Sequence, residues 1–352
     1  MRPKVPCRYA ILWGIMAAHR VAYRISIAAA GVYVQCFGLS LEGQMTGPLR
    51  VILDVDTGID DALALALAVR LPDLELVAVT TVAGNVGIAN TTANTRRVLA
   101  YLGAGAVPIH RGYSRPLAGG ALTATHVHGE SGLGGFILPE TEHDPERRPF
   151  APEALIDLIC AAPGAITLVC TGPLTNLAAA IALEPQLPSR IGRLVVMGGA
   201  LGRGNITPYA EFNIAADPEA AAQVFAACAL TMVGLDVTMQ TRIARNGWLA
   251  LAGMGGPEAT LIRESTAHFF AEDASGAMHL HDPLALGVAY DPSLCTIRRG
   301  TVKVETVTAW CAGRTTLTEA ADGPHEVCVG VDAPRFLHLL GDALGLPQLA
   351  HD

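Results

Sequence analysis

The chain has 352 residues, a formal charge of −8 and a pI near 5.8, long enough for one large α/β domain or two smaller ones around a substantial core. The acidic balance excludes sequence-independent nucleic-acid binding, which needs a basic surface, and makes a small molecule the expected partner. Lysine occurs only at Lys4 and Lys303, which removes the G-x-x-x-x-G-K-[ST] phosphate loop and leaves little scope for a Schiff-base lysine.

In chain order, residues 1–44 come first, with apolar runs at 11–18 and 25–41 broken by His19, Arg20 and Arg24. Neither run reaches the length of a spanning helix, and no small-residue cleavage site follows the first. Met45 is followed by Thr-Gly-Pro-Leu-Arg and then by the first strand pattern. The expected domain therefore covers 45–352. Residues 1–44 are read as an upstream extension that adds nothing to the fold, with a targeting segment as the alternative. The expected location is cytoplasmic, or membrane-bound or exported if that extension is functional. No stable membrane partner is expected.

From Arg50 onward, strand patterns at 51–54, 75–81, 107–110, 166–170, 193–197 and 230–234 alternate with helical patterns at 62–70, 88–102, 152–161, 176–183, 218–227 and 283–289. The strands are continuously apolar rather than alternating, as in a sheet buried on both faces. The fold class is α/β: a mostly parallel central sheet flanked by helices, a Rossmann-like open sheet in a single domain. Eight cysteines lie without C-x-x-C spacing and read as reduced core residues, Cys170 included.

Four aspartates fall within eight residues, Asp54-Val-Asp56-Thr-Gly-Ile-Asp60-Asp61, where the first strand gives way to a helix. Asp54 and Asp56 share a strand face, while Asp60 and Asp61 open the helix, where unpaired N–H groups favour carboxylates. Carboxylates about 4 Å apart repel by roughly 4 kcal/mol at an effective dielectric of 20, so a partly buried quartet calls for protonation or a cation. An all-oxygen donor set suits calcium or magnesium better than zinc or copper. The plainer role for one or two of these residues is helix capping.

Further segments end strands at the same sheet edge. Gly84-Asn85 closes the second strand, where Asn85 alone reads first as a turn residue. Thr171-Gly-Pro-Leu-Thr-Asn176 follows the fourth, with a carbonyl available to a cation and Thr175 or Asn176 as a cap. After the fifth, a long loop carries Asn205, Glu211 and Asn213; in an extended segment Glu211 and Asn213 share a face and Phe212 turns away. Amides and a carboxylate so arranged suit a polyhydroxylated ligand. His279-Leu-His281-Asp282-Pro283 starts another helix, with Asp282 as cap and Pro283 in its first position; His281 has the pKa range to donate a proton. The glycine-rich stretch 125–135 reads as a flap whose His126 and His128 line a pocket.

In this order, Asp54-Val-Asp-Thr-Gly-Ile-Asp-Asp61, Gly84-Asn85, His128-Gly-Glu-Ser-Gly-Leu, Thr171-Gly-Pro-Leu-Thr-Asn, Gly204-Asn, Glu211-Phe-Asn213 and His281-Asp-Pro resemble the inosine-uridine-preferring nucleoside hydrolases, calcium-dependent N-ribohydrolases. The resemblance runs from about Leu49 to near the C-terminus. It implies hydrolysis of the N-glycosidic bond of ribonucleosides to free base and ribose by a calcium-bound water. Asp56, Asp61, the Thr171 carbonyl and Asp282 would hold the calcium, with Asp56 also the general base. Asp60, Asn205, Glu211 and Asn213 match ribose-binding residues and Asn85 another pocket residue. Asp54 would support the site from behind, and His281 would protonate the leaving base. A homo-oligomer, dimer or tetramer, is expected. No aromatic residue among Trp248, Phe269 and Phe270 can be assigned to base stacking, so purine and pyrimidine ribosides both stay open.

Two rivals remain at this point. A haloacid-dehalogenase-type phosphatase shares an Asp-x-Asp after its first strand, but neither lysine is placed to hold its phosphate. A calcium- and ribose-binding protein without turnover would keep the same site.

Overall fold

The computed structural model describes residues 47–141, 149–271 and 276–350 in full. It divides into two compact units, Met1–Thr46 and Gly47–Asp352. In the first, only backbone strands are described: β1 (Ile11–Ile15), β2 (Ala22–Ala28) and β3 (Gly31–Phe37), paired antiparallel in that order. Met45, the expected start of the domain, and the residues of 1–44 outside these strands lie outside the described residues.

The second unit is built on nine strands. Its first six are β4 (Leu49–Val55), β5 (Leu74–Thr81), β6 (Ile109–Arg111), β7 (Ile166–Cys170), β8 (Arg193–Met197) and β9 (Leu230–Val233). A small hairpin-like pair, β10 (Arg242–Ile243) and β11 (Met278–His279), stands apart from the main sheet. The last three are β12 (Cys295–Val304), β13 (Thr315–Glu319) and β14 (His325–Val331). The spatial order is β13-β12-β14-β9-β8-β7-β4-β5-β6. All neighbours pair in parallel except those of β12, which alone runs against the rest. The first six strands thus lie in the doubly wound order, and the chain reverses its direction of growth between β4 and β7.

The six expected strands are all present within two residues of their predicted ends, and so are the six expected helices, here α1 (Ile59–Arg70), α2 (Ile88–Tyr101), α4 (Ala151–Ala161), α5 (Thr175–Leu183), α7 (Pro218–Ala227) and α11 (His281–Tyr290), apart from an earlier start to α1. Three short helices, α3 (Thr125–His128), α6 (Phe212–Ala216) and α8 (Leu235–Thr238), and three peripheral ones, α9 (Arg245–Ala250), α10 (Pro257–Ala271) and α12 (Ala333–Leu344), complete the unit. The strands β12 to β14, with β12 antiparallel between the other two, were not expected. Polar and charged residues such as Arg298, Arg299 and Glu319 interrupt β12 and β13, and most of their positions are exposed or half-buried, so they lack the continuous apolar signal of the central strands.

Alternation along the central strands divides the core in two. Val51, Leu53 and Val55 pack with α1, α10, α11 and α12 on one face, while Ile52, Leu168, Val196 and Met232 pack with α4, α5 and α7 on the other. Burial on both faces explains the unbroken apolar runs. It also leaves the strand ends as the place where polar side chains can gather. Among the described residues, no helix is long and apolar enough to cross a membrane.

Candidate active site

The crevice at the reversal between β4 and β7 is where an open α/β sheet offers a ligand the C-terminal ends of its strands. Asp54 and Asp56 stand at the end of β4, and Asp60 and Asp61 follow in the first turn of α1. All four are buried. Asp54 Oδ1 accepts hydrogen bonds from Thr80 Oγ1 (2.6 Å) and Asn176 Nδ2 (2.8 Å), which ties it to β5 and α5 behind the site. Asp56 is held on one side only: Oδ2 accepts the Asn85 N–H at 2.7 Å, and Oδ1 is a buried acceptor without a donor. Asp61 accepts from Thr171 Oγ1 (2.7 Å), from the Gly58 N–H (2.9 Å) and from Asn85 Nδ2 (3.3 Å). The capping role and the site role coincide in Asp61.

Asp282 joins this group from α11, 2% exposed. Asp60, Asp61 and Asp282 each offer an oxygen, and these three oxygens lie within 4.8 Å of one another. Asp60 therefore belongs to the tightest trio, although the sequence assigned it to the ribose; Asp56 stands beside the trio. Burial pushes the carboxyls of Asp54, Asp60 and Asp61 up to about 6, and those of Asp56 and Asp282 well above the usual range, with mutual repulsion adding to the last two. The oxygens of Asp60, Asp61 and Asp282 are close enough to repel one another when ionised. A divalent cation removes the repulsion that the protons otherwise relieve. The all-oxygen donors and the orphaned oxygens Asp54 Oδ2, Asp56 Oδ1 and Asp60 Oδ1 fit a hard cation.

A cavity of about 250 Å³ is lined by Asp60 and Asp282 of the trio and by Asn85, Thr171, Asn205, Glu211, Asn213 and His281, while Asp56 and Asp61 are not part of its lining. The Asn213 amide donates to the Thr171 carbonyl at 2.7 Å and to the Met197 carbonyl at 3.2 Å. Glu211 is the N-cap of α6, accepting from the N–H groups of Asn213 (2.8 Å), Gly199 (3.0 Å) and Ile214 (3.1 Å), and burial lifts its carboxyl to about 7. Asn205 Oδ1 accepts the Phe212 N–H at 2.9 Å. The segment 211–213 is thus the start of a helix, not an extended strand, and Phe212 faces the cavity together with its neighbours. Helical geometry prevailed because the Glu211 carboxylate caps two free N–H groups of the first turn, those of Asn213 and Ile214.

Two other expectations are corrected. Neither Thr175 nor Asn176 caps α5, whose N-cap is Leu174; Thr175 donates to Asp217, and Asn176 clamps Asp54 of β4, the Thr81 carbonyl of β5 and the Tyr113 N–H beyond β6. Asp282 is not the cap of α11, which begins at His281 with Leu280 before it, so Asp282 projects from the first turn into the site. His126 and His128 line the cavity as expected. His128 Nδ1 accepts the Ile59 N–H at 3.1 Å, and burial lowers its pKa to about 4, so it stays neutral beside Asp60. Cys170 is fully buried and its thiol is pushed up, which removes it as a nucleophile.

Glycines within the sequence motifs make the close approaches possible. A Cβ on Gly84 would lie 2.0 Å from Asp56 Oδ2, and one on Gly58 would lie 2.6 Å from His128 Nδ1. Phe269, Met278, Val127 and Ile206 add apolar surface to the cavity lining. Trp248 and Phe270 instead stack on each other, centroids 4.8 Å apart, with Phe270 in the core.

Comparison with known proteins decides the family. The family model described as inosine-uridine preferring nucleoside hydrolase matches residues 51–338. The chain belongs to the inosine-uridine preferring nucleoside hydrolases. It is 42% identical over 268 residues to the non-specific ribonucleoside hydrolase RihC of Klebsiella pneumoniae, covering 76% of this chain and 87% of that protein. With RihC of Escherichia fergusonii it shares 39% over 301 residues, 85% and 96% of the two chains. Among solved structures, a plant nucleoside hydrolase, PpNRh1, superposes with a TM-score of 0.79 at 32% identity, covering 84% of this chain and 99% of the other. A purine-preferring ribonucleoside hydrolase from Gardnerella vaginalis gives 0.77 at 32%, covering 86% and 99%. This nucleoside hydrolase is an enzyme that cleaves the N-glycosidic bond of ribonucleosides, and its buried aspartates form a group able to hold a metal. Neither the phosphatase nor the turnover-free binding protein finds support.

Proposed function

We propose that the enzyme is a calcium-dependent hydrolase of both purine and pyrimidine ribonucleosides, with calcium held by Asp56, Asp61, the Thr171 carbonyl and Asp282. The observation that carries this reading is the buried, all-oxygen carboxylate group with unpaired acceptors at the floor of a nucleoside-sized cavity. When bound, the cation orients the attacking water and the ribose hydroxyls together and lowers the cost of deprotonating that water.

The chain supplies the rest. Asp56 is pinned through Oδ2, so Oδ1 accepts the proton of the water as it attacks C1′. Asp60, Asn85, Asn205, Glu211 and Asn213 bind the ribose hydroxyls. Their carboxylates and amide oxygens also stabilise the positive charge that grows on the sugar as the C1′–N bond breaks. His281 stands over the leaving base. Burial lowers its pKa to about 3, so it meets the base as a neutral hydrogen-bond donor rather than as an imidazolium. Contacts from Phe269, Val127, Met278 and Ile206 are apolar and indifferent to the pattern of polar atoms on a base edge, which supports broad base acceptance, as the name of the RihC relatives states for them.

The test is incubation with inosine, uridine, cytidine and adenosine, following free base and ribose with and without a calcium chelator. Release of all four bases, abolished by chelation and restored by calcium rather than zinc, is the expected result; cleavage of one base class alone would overturn the broad-specificity reading. A cytoplasmic location is proposed on the free thiols Cys160, Cys170, Cys228, Cys295, Cys311 and Cys328 among the described residues, which suit a reducing compartment. A homo-oligomer, dimer or tetramer, is proposed on the exposed aromatic pair Tyr209 and Trp310, the latter 64% exposed, and analytical ultracentrifugation checks it.

A further inference from the structure

His281, at the first position of α11, lines the cavity, and its ring hydrogen-bonds a side chain that does not line it. His281 Nδ1 and Thr238 Oγ1 are 2.7 Å apart. Thr238 is the last residue of α8 and is fully buried, 0% exposed. A histidine ring and a hydroxyl can share a hydrogen bond in either direction, and the direction decides which nitrogen carries the proton.

The hydrogen-bond inventory of Thr238 settles that direction. Its N–H donates to the Gly234 carbonyl at 3.1 Å, and its own carbonyl accepts from Thr241 Oγ1 at 3.1 Å. Its hydroxyl has one partner, His281 Nδ1. If His281 donated from Nδ1, the buried hydroxyl proton would be left without an acceptor, at a cost of about 1–3 kcal/mol. The favourable arrangement has the hydroxyl donating to a bare Nδ1. The proton of the neutral ring then sits on Nε2. Because His281 lines the cavity while Nδ1 is engaged from behind, Nε2–H is the group presented to a ligand.

We infer that Thr238 is a positioning residue that locks His281 in the Nε2–H tautomer, so that the ring donates a hydrogen bond to the nucleobase as the base departs. This rests on the reading of His281 as the residue facing the leaving base. Negative charge accumulates on the base as the C1′–N electrons move to it, so a donor strengthens its bond in the transition state and an acceptor nitrogen would repel it. In the opposite tautomer Nε2 is that acceptor. Selection of the tautomer therefore bears on kcat more than on ground-state binding. The hydroxyl comes from an element that contributes no lining residue of its own, which is why only the packing of α8 against α11 reveals it.

Thr238→Val removes the hydroxyl and keeps the branched shape, whereas Thr238→Ser keeps the hydroxyl. The full-length enzyme and both variants are assayed on uridine and inosine and, in parallel, on p-nitrophenyl riboside, whose leaving group needs no hydrogen bond. Thr238→Val is expected to lower kcat on the nucleosides at least tenfold relative to p-nitrophenyl riboside, with KM changed less than threefold, and Thr238→Ser to recover most of that loss. Long-range ¹H–¹⁵N NMR of the His281 ring, in enzyme without substrate, is expected to show protonated Nε2 in the wild type and in Thr238→Ser, and a mixed or Nδ1-protonated ring in Thr238→Val. A parallel loss on all three substrates, or an unchanged tautomer in Thr238→Val, overturns the inference. His281→Ala separates it from the reading beneath it: if that variant shows no nucleoside-selective loss, His281 does not face the leaving base, whereas a selective loss there without one in Thr238→Val sinks the role of Thr238 alone.

Discussion

Removing the cation from the aspartate group should make the enzyme lose stability as pH rises. Asp54, Asp60 and Asp61 are raised from their ordinary 3.8 to about 6, first by burial, and Asp56 and Asp282 further still. For a carboxyl raised in this way the folded state binds more protons than the unfolded chain between pH 4 and 6. Stability is therefore fully present below about pH 4, falls as pH climbs through 6, and is lost above it. One such carboxyl costs on the order of 3 kcal/mol at pH 7, and coupling within the group makes the five costs a shared rather than a summed penalty. At a few degrees per kcal/mol for a domain of this size, the metal-free midpoint should drop by roughly 5–10 °C between pH 5 and 7.5. Calcium at a hundredfold excess over its Kd would return about 2.7 kcal/mol. The assay is calorimetric unfolding of chelator-treated enzyme across that pH range at constant ionic strength, with and without calcium. Ion pairs elsewhere titrate in both samples, so the quantity to read is the gap between the two midpoints, which should widen with pH. A gap that is absent, or constant from pH 5 to 7.5, would refute the claim that this group is an electrostatic load awaiting a cation.

Three further outcomes follow from the same geometry. Asp56→Asn should lower kcat by about 10²–10⁴-fold, the usual worth of a general base, while leaving the fold intact by circular dichroism; wild-type turnover would remove Asp56 from that role. Gly84→Ala puts a Cβ 2.0 Å from Asp56 Oδ2 in the present geometry, so either the loop or the carboxylate must move by about 1 Å, and a loss near 10²-fold in kcat is expected with a stability change of about 1–3 kcal/mol. Chain starting at Met45 is expected to fold and to hydrolyse nucleosides at the full-length rate, measured side by side; insoluble or inactive protein would give residues 1–44 a part in the fold.

Much of this molecule was legible before any coordinates. The parallel strands announced themselves because their central residues are buried on both faces and are therefore mostly apolar, and the aspartate quartet because four acids within eight residues are too costly to be incidental. Strands β12 to β14 carry no such mark, since polar and charged residues such as Arg298, Arg299, Glu319 and Glu326 break up their apolar positions. Glu211 shows the limit for single residues. Its type and spacing identified it as a sugar-pocket residue, yet its capping of α6, and hence the turn of Phe212 toward the cavity, depended on which N–H groups lay free nearby.

The chain by itself therefore determined the chemistry: which acids, amides and histidine exist, at which strand ends, and to which family they belong. Tertiary structure decided how those groups divide the work. It brought Asp282 from α11 to Asp60 and Asp61, orphaned one oxygen of Asp56 while pinning the other to Asn85, tied Asp54 to Asn176 behind the site, and set Thr238 against His281. Composition and spacing report what a residue can do. Protonation state, tautomer and free valence depend on burial and on partners that are distant in sequence, and these exist only once the sheet has closed its crevice.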